Sequence, residues 1–183
     1  MKWKNYQELA FQTNAKLGGD LDRAHMLLGV GTEIGELQDI FKKNIAYGKE
    51  IDWKNVKEEV GDIFWYIAGL MEHENLSVDM DSILSGDIPE LNNTSDLTDN
   101  IVVSLGLSII FSRLLSDVGR DDTAKNIDDL ATSLLMFCNQ NEFDVRRILE
   151  NNIEKLRARF PKKFTQYDAI NRDLVAESEV LDE

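Results

Sequence analysis

The sequence predicts an all-α protein, and three observations carry that expectation. Apolar residues recur at the three- and four-residue spacing of a helix face along most of the chain. No segment keeps up the alternation of a strand, and only two prolines, Pro89 and Pro161, occur in 183 residues. A bundle of about five to six helices is expected. It forms one domain over residues 1–175, with 76–95 as a loop or insertion and 176–183 as a flexible acidic tail.

A first helix is expected over Tyr6 to about Lys16, ending at Gly18-Gly19. Asp20 can cap a second, running to about Lys43, whose core stripe is Leu27, Val30, Ile34, Leu37 and Phe41. The turn-like segment from Tyr47 to Asp52 leads to a third helix, ending near Glu74, with the stripe Val56, Val60, Ile63, Ile67 and Met71. Ser85-Gly86-Asp87, Pro89 and Asn92-Asn93 mark the loop. Further helices are expected at about 96–118, 123–139 and 144–159, the last stopped by Pro161. A weak internal repeat lays Val30–Leu37 against Leu105–Ser112 and Lys57–Asp62 against Ile127–Thr132. It suggests a duplicated helical hairpin whose second copy lost its acids. Glu33, Glu36, Glu59 and Asp62 then align with Ser108, Phe111, Asp129 and Thr132.

Composition narrows the function classes. A net charge of −14 argues against general nucleic-acid binding, which needs a basic surface. No apolar run reaches the roughly 18 residues of a membrane span, and the start lacks the apolar core of a signal peptide. The single cysteine, Cys138, lies in an apolar run and reads as a buried structural thiol. A cytoplasmic protein without membrane association is expected.

The chemistry lies in two short motifs, Glu33-Ile-Gly-Glu36 and Glu59-Val-Gly-Asp62. Residues three apart share one side of a helix, so each helix presents a carboxylate pair beside its apolar stripe. If the two helices fold back on each other, four acids converge and need a cation among them. Hard oxygen ligands of this kind suit Mg²⁺ or Mn²⁺. A single such pair is an ordinary solvated face; two pairs on consecutive helices are not. Gly35 and Gly61 sit inside the pairs at a helix-propensity cost of about 1 kcal/mol each relative to alanine, a cost that close packing or ligand access would explain. A di-iron site is disfavoured because neither His25 nor His73 stands three residues after a motif glutamate.

These residues carry a resemblance. Gly31–Leu37, Tyr47–Asp52 and Glu58–Tyr66 closely resemble the MazG-like all-α nucleoside triphosphate pyrophosphohydrolases, relatives of dimeric dUTPases and dCTP pyrophosphatases. Asn152–Phe164 and Ala169–Asp173 resemble the ending of phage and bacterial members, so the likeness covers about residues 25–74 and 148–173. The resemblance implies Mg²⁺-dependent hydrolysis of a nucleoside triphosphate to the monophosphate and pyrophosphate, by a homodimer or homotetramer. Glu33, Glu36, Glu59 and Asp62 would be the metal ligands. Sequence does not choose the general base among them; Glu36 is the candidate taken here.

Phosphates need cations beyond the metal. Asn152, Lys155 and Arg159 share one face of the helix near residues 144–159, opposite Leu149, Ile153, Leu156 and Phe160, and are candidate substrate contacts. Lys43 is a further candidate, followed by Lys163 and Arg172. Trp3, Tyr6, Phe11, Thr13, Trp65 and Tyr66 could wall a base pocket. The reading from a different class is a catalytically silent helical module that binds a nucleotide or a partner without turnover.

Overall fold

Every regular element in the computed structural model, which describes residues 1–85, 97–116, 120–161 and 163–181, is a helix. In chain order they are α1 (Trp3–Gln12), α2 (Asp20–Tyr47), α3 (Trp53–Glu74), α4 (Met80–Ile83), α5 (Leu97–Ser116), α6 (Arg120–Gln140), α7 (Val145–Arg159), α8 (Gln166–Ile170) and α9 (Leu174–Val180).

The centre of the bundle is α3. Its N-terminus is fixed by Asp52, whose carboxylate accepts from the Asn55 amide at 3.0 Å. Eleven of its residues are buried, on all sides of the helix. It packs against α2, α1, α7 and α6. The expected stripes of α2 and α3 are buried throughout, from Leu27 to Phe41 and from Val56 to Met71. Gly48 ends α2 in the left-handed conformation (φ 64°), which turns the chain back so that α2 and α3 run antiparallel. Close approach along this hairpin depends on Gly29, where a Cβ would lie 2.0 Å from the Tyr66 ring. A second hairpin, α5/α6, leans on α2, tied there by Gln38, whose amide donates to Ser104 O and Ser108 Oγ.

Several expectations change. Helix α1 starts three residues early, because Trp3 and Tyr6 face the core, and it ends at Gln12, where the Thr13 hydroxyl turns back to Ala10 O. Asp20 is the first residue of α2, not its cap; the neighbouring Asp22 carboxylate accepts from the Leu17 and Gly18 amides instead. The expected loop over 76–95 holds the short α4, whose Met80 is buried, while 86–95 lie outside the described residues. The expected loose tail is helical through Val180, since Glu177 is drawn into ion pairs. Finally, α5 is long and apolar enough by length and composition to cross a membrane, with a mean hydropathy of 1.4, contrary to the sequence reading. It buries Leu107, Ile110 and Leu114, and exposes Val102, Leu105, Ile109 and Leu115.

Candidate active site

The acids converge because α2 and α3 are antiparallel and both carry them at the edge of the shared seam. Carboxylate oxygens of Glu33, Glu59 and Asp62 lie within 4.8 Å of one another. That is close to the span across an oxygen-coordinated divalent ion with bonds of about 2.0–2.6 Å. Glu36 is the exception among the four. It lies further round α2, is exposed, and stands on the wall of the same cleft outside the triad.

Burial dominates the electrostatics here. Glu59 is 5% exposed. Its carboxyl is pushed up to about 9, first by burial, then by its hydrogen bond with Glu33 and by the Asp62 charge. Glu33 is pushed up to about 7, first by burial and then by Asp62. Both shifts favour holding a proton between the two carboxyls near neutral pH. Among the described residues, Glu33, Glu59 and Asp62 are those that could hold a cation.

Asp62 is held from behind by α7. Its Oδ1 accepts from Asn152 Nδ2 at 2.6 Å and Lys155 Nζ at 2.7 Å, and its Oδ2 accepts from Lys155 at 2.6 Å. Of about four acceptor positions on a carboxylate, one remains for a ligand on the cleft side. The Lys155 ammonium also reaches Glu58 at 3.1 Å. Burial alone would pull Lys155 down, but Asp62 and Glu58 outweigh it and hold it above its ordinary value. The Tyr6 hydroxyl completes the support, donating to Asn152 Oδ1 at 2.9 Å. Gly61 allows this arrangement, since a Cβ there would press Asn152 at 3.2 Å. Gly35 has open space and no such packing reason.

The cleft encloses about 350 Å³ between α2, α3, α7 and the segment that follows α7. Trp65, Tyr66, Phe160 and Phe164 supply its apolar walls, Thr13 lies at one edge, and Arg159 and Arg172 bring positive charge. The Trp65 indole donates to Thr13 Oγ1 at 3.0 Å. His25 packs edge-on against Trp65 and Tyr66, its Nδ1 buried without a hydrogen-bond partner, and burial holds the imidazole below its ordinary value. Arg159 and Arg172 both grip the carboxylate of Glu177, at 2.6 Å each.

The expected cationic face of α7 is thus divided. Arg159 lines the cleft, whereas Asn152 and Lys155 are buried behind Asp62, because α7 packs on α1 and α3 as well as along its apolar stripe. Lys43 is placed elsewhere, in solvent at the end of α2 and paired with Asp39 at 2.6 Å. Among the proposed base-pocket residues, Trp3 and Tyr6 belong to the core, and Phe11 is not a wall of the cleft. Sequence reasoning missed Glu58, Phe160, Phe164 and Glu177 as site residues. Only Glu58, adjacent to Glu59, carried a local signal.

No protein-family model matches this chain, and neither a curated protein nor a solved structure matches it.

Proposed function

We propose that the protein is a divalent-metal-dependent nucleoside triphosphate pyrophosphohydrolase, releasing pyrophosphate from a deoxynucleoside or non-canonical nucleoside triphosphate. The observation that carries this reading is the triad of buried Glu59 and half-buried Glu33 and Asp62, opening into a cleft with arginine and aromatic walls. The family resemblance of the two acidic motifs supports it. Glu33, Glu59 and Asp62 would hold Mg²⁺, or Mn²⁺ in its place, and Glu36 would complete the set from the wall. The ion would neutralise charge developing on the phosphoryl oxygens and acidify a water enough to attack near neutral pH.

The chain supplies the rest. Lys155 and Asn152 fix the Asp62 carboxylate so that it does not reorganise as charge develops. Glu36 is free to orient the attacking water or take its proton, and Arg159 meets a phosphate with a planar fork of donors. Trp65, Tyr66, Phe160 and Phe164 offer faces on which a base stacks. Hydrolysis at the α-phosphorus needs only water as nucleophile, and the buried Cys138, its thiol pushed up to about 12, is no alternative.

Assembly as a homodimer or homotetramer belongs to the same proposal. It is supported by uncovered apolar residues along α5 and α2, with Leu115 beside Leu28 and Leu105 beside Ile45.

The test is pyrophosphate release across a panel of canonical and modified nucleoside triphosphates, with and without Mg²⁺, beside Glu36→Gln. Metal-dependent turnover of at least one substrate, lost in the variant, is expected. Turnover without metal, or a fully active variant, would sink the mechanism. Tight nucleotide binding with no turnover on any substrate would favour the silent binding module.

A further inference from the structure

The only buried residue of α9 is its glutamate. Leu174 and Val175 of this helix are 63% and 70% exposed, while Glu177 is 3% exposed. A seven-residue helix is marginal in water and ordinarily docks by its apolar side chains. This one docks by charge.

Glu177 Oε2 accepts from Arg159 Nη2 and Arg172 Nη2, both at 2.6 Å, and Oε1 accepts from the two Nε groups at 3.0 and 3.3 Å. Burial would raise this carboxyl, but the two guanidiniums outweigh it and hold it at about 2. Two convergent arginine forks around one planar oxyanion make the geometry used for phosphate as well as for carboxylate. Both arginines also line the cleft that holds Glu33, Glu59 and Asp62. A further polar anchor of the helix among the described residues is the exposed contact of Lys54 Nζ with Ser178 O (2.8 Å) and Oγ (2.9 Å).

The geometry points to Arg159 and Arg172 as a paired phosphate-binding subsite, with Glu177 as its built-in anionic placeholder. This rests on the reading that the cleft takes a polyphosphate. An incoming phosphate, with more charge and more acceptor oxygens than a carboxylate, displaces Glu177, and α9 leaves α7. When the site empties, Glu177 returns and keeps the like charges of Arg159 and Arg172 from facing each other unneutralised at the cleft wall.

Inorganic tripolyphosphate in the presence of Mg²⁺ is the probe. Its binding is measured by calorimetry on the full chain and on Glu177→Gln, and amide exchange of residues 174–180 is followed on the unaltered protein. A placeholder predicts binding about tenfold tighter in Glu177→Gln, a change of about 1.4 kcal/mol. It also predicts that amide protection of 174–180 falls when the probe binds. Weaker binding by the variant would make Glu177 a support for the arginines and overturn the proposal, as would unchanged protection in the unaltered protein. No binding by either form would overturn the polyphosphate reading of the cleft and the placeholder with it; binding of equal strength would overturn the placeholder alone.

Discussion

Hairpin α2/α3 gathers Glu33, Glu59 and Asp62 into a half-buried cluster around the buried Glu59, where burial and mutual repulsion push Glu33 up to about 7 and Glu59 to about 9. Hairpin α5/α6 carries Ser108, Phe111, Asp129 and Thr132 at the positions the sequence repeat aligns with the four acids. There Ser108 accepts from Gln38, Phe111 covers Gly31, and Asp129 pairs with Arg113 at 3.3 Å near the surface. Both hairpins bury apolar stripes, but only one gathers acids where they oppose its stability. Packing and a surface ion pair account for Ser108, Phe111 and Asp129 in the second hairpin. In the first, the proposed cation would offset the repulsion.

The largest separation between the two should come from paired substitutions of the acids. Glu59→Gln is expected to lower metal-dependent pyrophosphate release roughly 10³-fold, the loss of several kcal/mol of charge stabilisation. The same variant should melt higher than the parent at pH 8 without metal, because a buried carboxyl no longer has to ionise or hold a proton. Asp129→Asn in the other hairpin should leave turnover unchanged. If both variants behave alike in steady-state kinetics, the comparison fails.

The supporting cations should differ next. Lys155→Ala leaves Asp62 and Glu58 unpaired around a buried gap and should cost about 3–5 kcal/mol in urea unfolding. Arg113→Ala breaks a half-exposed pair and should cost about 0.2–1 kcal/mol. Glycines give a third contrast. Gly29→Ala forces the Tyr66 ring out of its place and should cost about 1–3 kcal/mol. Gly106→Ala on α5 and Gly35→Ala on α2 meet open space and should gain up to about 1 kcal/mol in thermal unfolding. Gly35→Ala should lower turnover if a ligand approaches that backbone, whereas Gly106→Ala should not.

A last contrast is in pH. Glu33 and Glu59 have folded-state values above the unfolded value of 4.5. Between about 4.5 and about 9 these two groups therefore bind more protons in the native than in the unfolded chain, and their contribution to metal-free stability falls as pH rises through that window. Saturating Mg²⁺ should flatten the slope, and Glu59→Gln should remove most of it. An unchanged slope in that variant would place the titration elsewhere.

Much of this was legible in the sequence. The stripes of α2 and α3 have strict helical spacing, and Asp52 and Asp144 cap α3 and α7 where local chemistry puts them. The two acidic motifs carried the triad, because i,i+3 geometry is local. What escaped was long-range. Periodicity on α7 separates an apolar stripe from a polar face, but it cannot tell that α3 covers Asn152 and Lys155 while leaving Arg159 in the cleft. An acidic, polar ending reads as a tail until Arg159 and Arg172 are found around Glu177. Glu36 escaped for a subtler reason: the i,i+3 spacing is the same in both motifs, so how each helix turns its pair toward the other, which is long-range, decides that Glu59 and Asp62 both enter the triad while Glu36 stays on the rim.

The central claim is that the α2/α3 acids form a divalent-cation site whose proton is exchanged for metal. Calorimetric titration of Mn²⁺ at pH 7, in two buffers of different protonation enthalpy, tests it most directly. Binding accompanied by release of about one proton, lost in Glu59→Gln, is the predicted result. No binding, or binding with no proton released, would contradict it.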